Sequence, residues 1–302
     1  MDSPQTAAKF DVYDSHFYNL VPSEAELKQL YSGGQHSEGP VYIPADDSLI
    51  WSDVIGDRLL QWKAGKVSIY QASSSYQNGN ALDLEGRIVA CSHGHRAIVR
   101  QDFDGEWRIL VDRYQGKRLN SPNDITVKSD GTLWFTDPPF GLTQANQGCG
   151  GEQEQPGSYV YRFDPATREM TAVVTDMCRP NGLAFSPNEQ QLYVSDTSAF
   201  ENPALFHDVR TFDVVNGHLE NGRKFAEINP GQPDGLCTDR AGHLFISSED
   251  SVQVYTPDAT YLGKIFIPEI CANLTFGERE RNRLFIAAGG SLYAIDLNTR
   301  GI

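Results

Sequence analysis

The sequence predicts an all-β fold, a six-bladed β-propeller in which each blade is a sheet of four antiparallel strands. Two observations lead to this prediction. One pattern recurs about every 40 to 55 residues, and a surplus strand near the start of the chain matches a deficit near its end. A chain of 302 residues with 39% hydrophobic content can build one such domain, so residues 1–302 are expected to form a single propeller.

The recurring pattern is clearest in three segments that combine Pro with Asn or Asp and continue into a short apolar strand, residues 121–127, 179–185 and 232–238. Weaker copies begin near residues 37, 79 and 271. In every copy, polar turns separate short apolar segments that alternate with polar residues, as in a β-hairpin. Three or four strand-like segments per copy favour propeller blades over a sandwich or an α/β fold.

The ends of the chain indicate how the ring closes. The last copy contains three strand segments, ending at residues 291–296, and the chain stops before a fourth. Residues 26–31 form a surplus strand ahead of the first copy, and pairing the two would remove both exposed sheet edges. Residues 1–25 are then an N-terminal extension. The long segment 137–157 is interpreted as a lid over the channel mouth, with a surface insertion as the alternative.

The charge balance excludes several classes of partner. Asp and Glu outnumber Lys and Arg by 40 to 25, a formal net charge of −15, and no basic run is present. Nucleic acid and anionic membranes are therefore not expected partners, and no apolar segment is long enough to span a bilayer. Residues 1–21 show no secretory signal, so the cytoplasm is the expected compartment, or the periplasm if a signal peptide was removed. Nothing in the sequence indicates an oligomeric state.

One position of the repeat carries an acid or an amide in all six copies. In a propeller the innermost strand lines the central channel, so these side chains are expected to converge on its axis. Asn and Asp are also ordinary turn residues, but Glu is not, and turn chemistry does not explain an oxygen donor in every copy. The predicted ring is Glu38, Asn80, Asn123, Asn181, Asp234 and Asn273.

A ring of oxygen donors with two carboxylates favours a hard divalent cation. Glu38 and Asp234 balance the charge of one dication, and without it they would repel each other in a narrow channel. Ca²⁺ is preferred from the ligand type, with Mg²⁺, Mn²⁺, Zn²⁺ and Fe²⁺ as alternatives.

The motifs at these positions resemble those of the gluconolactonase and senescence-marker-protein (regucalcin) family of calcium-dependent propellers, and the bacterial gluconolactonases most of all. The resemblance is carried by residues 37–40, 121–124, 130–137, 179–182 and 233–235. It implies hydrolysis of a small-molecule sugar lactone, such as D-glucono-1,5-lactone, to the aldonic acid.

The resemblance also implies roles for individual residues. Glu38, Asn181 and Asp234 match the family's metal ligands, Asp234 also matches its general acid/base, and Asn123 matches a channel residue that touches substrate or metal. Animal members have an Arg where this chain has Ser121, and Arg118 is a candidate replacement.

The loops around the channel mouth add further candidates for substrate binding. They are His93, Asp137 and Phe140, with Phe140 inside the predicted lid. For His93, substrate contact and a hydrogen-bonded loop position both remain open.

Two other functions are compatible with the same ring. A phosphotriesterase resembling the diisopropylfluorophosphatases would use the metal on a phosphoryl oxygen. A calcium-binding propeller without enzymatic activity would need only the cation site.

Overall fold

A computed structural model describes residues 5–302 of the chain. It shows six small antiparallel sheets arranged as a six-bladed β-propeller, as predicted. The chain before the first blade contains β1 (Gln5–Ala7), β2 (Phe10–Val12), the short helix α1 (Phe17–Leu20) and β3 (Glu26–Ser32).

Each of the first three blades consists of four strands in sequence order, with the first strand innermost. Blade 1 contains β4 (Ser37–Ile43), β5 (Ser48–Asp53), β6 (Arg58–Lys63) and β7 (Lys66–Gln71). Blade 2 contains β8 (Gln77–Leu82), β9 (Ile88–Ser92), β10 (Ala97–Gln101) and β11 (Trp107–Val111), and a small hairpin, β12 (Arg113–Tyr114) and β13 (Lys117–Arg118), follows it. Blade 3 contains β14 (Ile125–Val127), β15 (Leu133–Asp137), β16 (Tyr159–Phe163) and β17 (Met170–Val174), with helix α2 (Phe140–Thr143) between its second and third strands.

The remaining blades repeat this order, with the last one incomplete. Blade 4 contains β18 (Pro180–Phe185), β19 (Gln191–Asp196), β20 (Asp208–Val215) and β21 (His218–Glu227), and a 3-10 turn (Ser198–Phe200) follows its second strand. Blade 5 contains β22 (Leu236–Thr238), β23 (Leu244–Ser247), β24 (Ser251–Tyr255) and β25 (Tyr261–Phe266). Blade 6 contributes β26 (Cys271–Gly277), β27 (Arg283–Ala288) and β28 (Ser291–Asp296).

The N-terminal strand closes the ring, which confirms the sequence prediction. Strand β3 pairs antiparallel with β28 and completes blade 6. Side chains strengthen this pairing: Gln29 Nε2 donates to Tyr293 Oη (3.2 Å), across 264 residues of sequence.

The residues before β3 form a two-part arm that the sequence did not predict. Strand β1 pairs with the free edge of β3, and β2 pairs with β25, the outer strand of blade 5. Between them Phe17 is fully buried in the core that blades 5 and 6 share. Residues 5–32 therefore join blade 5 to blade 6 as well as closing the ring.

Aromatic side chains fill the spaces between neighbouring blades. The rings of Trp134 in blade 3 and Phe185 in blade 4 lie 5.4 Å apart, edge to face. Trp62 in blade 1 packs against Phe285 in blade 6 with the same centroid separation, 5.4 Å. Large apolar contacts of this kind fix each blade against the next. Within residues 5–302, no helix has the length and apolar character needed to cross a membrane.

Candidate active site

The first strands of the blades, and the residues that lead into them, surround a central channel and meet at one level. At this level a backbone N–H of one blade donates to a backbone carbonyl of the next. The three clearest bonds run from Gly79 N to Asn123 O (2.8 Å), from Gly182 N to Asp234 O (3.2 Å) and from Gly235 N to Ala272 O (2.6 Å).

The backbones approach so closely there that most positions require glycine. A Cβ atom on Gly182 would lie 2.3 Å from Asp234 O, and a Cβ on Gly39 would lie 2.1 Å from Asn78 O. This close contact therefore defines which residues of the six blades occupy equivalent positions.

This register corrects the predicted ring at two of its six positions. The residues that precede the glycine level are Glu38, Asn78, Asn123, Asn181, Asp234 and Ala272, called here the upper layer. Asn78 thus stands where Asn80 was predicted, and Ala272 where Asn273 was predicted. The copies in blades 2 and 6 lack the Pro-Asn or Pro-Asp signature that marks the correct phase in blades 3 to 5.

The next residues form a lower layer of four glycines and two polar residues, Gly39, Gly79, Asp124, Gly182, Gly235 and Asn273. Asp124 and Asn273 use the space left by glycines on their neighbours. A Cβ on Gly79 would lie 2.4 Å from Asp124 Oδ1, and a Cβ on Gly235 would lie 2.3 Å from Asn273 Cγ. Asp124 is a site residue that the repeat pattern did not predict. Its signal was an Asp where most copies of the repeat have Gly.

Three carboxyl groups therefore lie together in the channel. Burial raises the pKa of Glu38 well above its usual range, and the charges of Asp234 and Asp124 raise it further, against hydrogen bonds from Gly39 and Asn273. Burial and the charge of Asp124 raise the pKa of Asp234 to about 8, although a hydrogen bond from Asn181 opposes this. Burial raises the pKa of Asp124 to about 6. The carboxyl groups thus need a compensating positive charge to ionise together.

The donor set of the upper layer fits a divalent cation. Asp234 Oδ1 is buried and has no hydrogen-bond partner, and Asp234 lies close enough to Glu38 for their charges to interact. Asn181 lies close enough to Asp234 to lower its pKa, and its amide oxygen would add a neutral donor to such a site. Within the part of the chain that the structure describes, no group of three or more His, Cys, Asp or Glu side chains is arranged to hold a metal ion. Amide oxygens are therefore needed to complete such a site.

A cavity of about 540 Å³ lies below these layers and opens toward the opposite face of the ring. Asp124 and Asn273 line its inner end, whereas Glu38, Asn181 and Asp234 do not line it. The remaining wall is mostly apolar, with Leu183, Phe185, Leu236 and Phe276 among its residues. The lower layer is thus a floor between the carboxylates above and an apolar channel below.

His93 lies beside the upper layer in the loop after β9. Its side chain is fully buried, and its Nδ1 lies 2.7 Å from the carbonyl oxygen of Gln147. Burial lowers its pKa to about 4, so the imidazole is neutral at physiological pH. Nε2 of His93 has no hydrogen-bond partner, and neither have Oε1 of Gln77 and Oδ1 of Asn78 nearby.

The segment 137–157, predicted to be a lid, packs against this region. Phe140 is buried, and the Gly141 N–H donates to Ser121 Oγ (2.9 Å). A Cβ on Gly141 would lie 2.7 Å from the Cβ of His93, which shows how closely the segment covers this residue. Gln155 is also buried and ties the far end of the segment to backbone carbonyls of the β12–β13 hairpin. The opening and closing expected of a lid stays a prediction.

The other two substrate-binding candidates, Asp137 and Arg118, mainly form hydrogen bonds with the backbone of neighbouring loops. Asp137 is fully buried, its Oδ2 accepts a hydrogen bond from Asn120 N (2.8 Å), and burial raises its pKa to about 7. The Arg118 guanidinium donates to His95 O (2.9 Å), and the Arg118 N–H donates to Glu154 Oε2 (2.8 Å). Arg118 therefore braces the loop that carries His93 against the predicted lid.

Residues 36–290 match the family described as SMP-30/Gluconolactonase/LRE-like region. The chain belongs to this family. Gluconolactonase from Zymomonas mobilis subsp. mobilis is 31% identical over 98% of this chain and 88% of its own length. The pentonolactonase XacC from Haloferax volcanii is 25% identical over 84% of this chain and 81% of its own length.

A solved gluconolactonase structure agrees closely in fold. The gluconolactonase XC5397 from Xanthomonas campestris superposes with a TM-score of 0.90 at 40% sequence identity, covering 98% of both chains. This similarity extends beyond the ring itself, since 98% coverage includes most of the N-terminal arm. The chain thus shares the architecture of this gluconolactonase over nearly its whole length.

Proposed function

We propose that the protein hydrolyses a small-molecule sugar lactone, such as D-glucono-1,5-lactone, to the corresponding aldonic acid. The observation that carries the proposal is the unpartnered Oδ1 of Asp234, held in the channel beside Glu38 and Asn181. Support comes also from relatives named as lactonases, which include a gluconolactonase and a pentonolactonase. The upper layer thus offers a proton acceptor and a cation-binding set at one point.

The proposal includes a divalent cation, Ca²⁺ by preference, held by Glu38, Asn181 and Asp234 with Asn123 adjacent in the same layer. Carboxylate and amide oxygens are the donors that Ca²⁺ prefers, although Mg²⁺, Mn²⁺, Zn²⁺ or Fe²⁺ would also accept them. When bound, such an ion would supply Lewis-acid polarisation of the lactone carbonyl.

The protein's own contribution to the chemistry is proton transfer and positioning. Oδ1 of Asp234 is free to accept a proton from the attacking water and to return it to the ring oxygen as the ester bond breaks. Asn181 lies beside this carboxylate and lowers its pKa, which favours the ionised form that accepts the proton. Asn123 lies in the same layer and would place a further amide beside the substrate.

The test is hydrolysis of D-glucono-1,5-lactone, followed by acid release in a pH-stat with metal content measured in the same samples. Asp234→Asn is expected to lower kcat by about 10²-fold or more, the usual loss on removing a general base. Glu38→Gln is expected to lower the bound metal as well. Glu106→Gln changes an exposed acid far from the channel and serves as the charge-matched control.

Full turnover by Asp234→Asn with metal still bound would refute the role of Asp234. A parallel assay with an organophosphate ester separates lactonase from phosphotriesterase activity. Hydrolysis of the ester without hydrolysis of any lactone would overturn the proposed function.

A further inference from the structure

The position of His93 is set by backbone contacts on two sides. Its own N–H donates to Tyr76 O (3.1 Å), and the preceding residue, Ser92, pairs with Gln77 across the β8–β9 ladder. The segment around Gly141 covers the other side. His93 is consequently held rigidly next to the start of β8, the strand that carries Asn78.

The hydrogen bond at Nδ1 defines the tautomer of the ring. Gln147 contributes a backbone carbonyl, which only accepts, so Nδ1 of His93 must carry the hydrogen at this 2.7 Å contact. Since the ring is neutral, Nε2 has no hydrogen and presents a lone pair. His93 is thus a fixed hydrogen-bond acceptor, buried and without a donor.

His93 stands close to the proposed metal-binding residues. Nε2 of His36 lies 3.9 Å from Glu38 Oε1, and His36 is near enough to His93 to interact with it electrostatically. On the same wall, the carbonyl oxygen of Asn78 abuts Gly39, the residue after Glu38. The unpartnered acceptors of blade 2 therefore border the place where a lactone would lie.

A buried acceptor without a donor is unfavourable, and its natural complement is a ligand that carries hydroxyl groups. The lactone ester group has only acceptors, so it cannot satisfy His93. The free hydroxyls of a sugar lactone can. An acceptor held by a second hydrogen bond on the opposite ring nitrogen is also well placed to discriminate, because it cannot turn away from an unsuitable ligand.

We propose that Nε2 of His93 accepts a hydrogen bond from a hydroxyl group of the substrate lactone and so selects hydroxylated over deoxygenated lactones. This inference rests on the proposed lactonase function. It makes His93 a specificity-determining residue rather than a proton-transfer group.

The test compares kcat/KM for D-glucono-1,5-lactone with that for its single-deoxy analogues. For the wild type, at least one analogue is expected to be about tenfold or more poorer, the loss for one missing hydrogen bond to a site built to accept it. In His93→Asn this preference should fall to about threefold or less. A threefold preference is smaller than the discrimination expected from one intact hydrogen bond. The Asn amide can replace the Nδ1 donor toward Gln147 but has no atom at the Nε2 position.

His93→Gln makes the reciprocal change, since its amide oxygen reaches the Nε2 position while the bond to Gln147 is lost. It is expected to keep more of the preference than His93→Asn. His95→Ala, an exposed residue of the same loop, is the control and should keep the full preference.

The outcomes separate cleanly. An unchanged preference in His93→Asn for every analogue would overturn the assignment of His93, as would an equal loss in both His93 variants, which indicates a purely structural role. If the wild type hydrolyses no lactone at all, the proposed function fails and this inference fails with it. If it hydrolyses all the analogues equally well, only the inference fails.

Discussion

Asn273 Nδ2 donates a hydrogen bond to Asp124 Oδ2 across the central channel, at 3.4 Å, although 149 residues separate the two in sequence. Both residues occupy positions where most blades have glycine, and Asn273 also lies close enough to Glu38 to lower its pKa. One amide thereby lies beside two of the three channel carboxyl groups. The floor of the site is built by these two exceptions to the repeat.

Replacement of Asp124 with Asn is expected to stabilise the metal-free protein. The Asp124 charge raises the pKa of both Glu38 and Asp234, so its removal relieves repulsion worth about 1 kcal/mol. Urea unfolding in excess chelator measures the change. Glu106→Gln alters an exposed acid and should leave stability unchanged. A less stable Asp124→Asn protein would show that the bond from Asn273 outweighs the repulsion.

Addition of Ca²⁺ to chelator-treated protein is expected to raise Tm by several degrees. A ligand that binds only the folded state stabilises it by about 2.7 kcal/mol at a concentration 100-fold above Kd. Differential scanning calorimetry over a Ca²⁺ series measures the shift. The Tm of Glu38→Gln should rise little on addition of Ca²⁺. A rise equal to that of the wild type would show that the ion binds elsewhere.

Replacement of Gly182 with Ala is expected to cost about 3 kcal/mol or more, because the added carbon would overlap the backbone of the next blade. That carbon would lie 2.3 Å from Asp234 O and 2.6 Å from the Gly235 Cα. Denaturant unfolding measures the loss. Gly65→Ala is the comparison. A Cβ added at Gly65 would meet no neighbouring atom within 4 Å, but the φ of this residue is +75°, so the substitution adds only backbone strain of about 1 kcal/mol. Equal losses in the two variants would contradict the close-contact explanation.

Phe17→Ala is expected to destabilise the protein by about 3–5 kcal/mol, the usual loss for a buried aromatic. Phe17 is fully buried, and its ring lies against Gly263 of β25. Thermal unfolding measures the effect. Tyr18→Ala removes the next side chain, which is 45% exposed, and should cost far less. Similar stability of the two variants would show that the arm contributes little to the ring.

Asp239→Asn should lower stability near neutral pH by about 1–3 kcal/mol, with the loss disappearing in acid. Burial opposes ionisation of Asp239, but hydrogen bonds from His243 and Thr299 outweigh it and hold its pKa below the usual 3.8. A lowered pKa stabilises the fold above 3.8, and this contribution disappears as the pH falls through the folded-state value.

Urea unfolding near neutrality and in acid measures this effect. Thr299→Ala removes one hydrogen-bond partner of Asp239 without a change of charge. The loss of stability in this variant should therefore depend less on pH than the loss in Asp239→Asn. A pH-independent loss in Asp239→Asn would contradict the assignment.

The sequence was sufficient for the ring but not for the arm. Blades could be counted because each copy repeats a turn and an alternating apolar strand, and the closing strand followed from the count. Residues 5–20 contain only three-residue strands and a four-residue helix. Such short elements have no periodicity of their own and exist because blades 5 and 6 offer them edges and a pocket.

The candidate site was likewise predictable from the sequence only in part. Glu38, Asn123, Asn181 and Asp234 fall in one layer, as expected from the repeat. Asn80 and Asn273 were misplaced because amides were aligned with amides, whereas the close contact between backbones aligns glycines. The bond between His93 and Gln147 joins residues 54 positions apart through an irregular loop, and no local pattern predicts it.

Closure by β3 also has a consequence for biosynthesis. Strand β3 is synthesised before the first blade, whereas its partner β28 is the third strand of the sixth blade. Five blades can form before the ring can close. Until it closes, β3 and the edge of blade 6 can form non-native strand pairs. The nascent protein therefore depends on delayed, long-range pairing, and its yield in cells should be more sensitive to chaperone supply than its equilibrium stability implies.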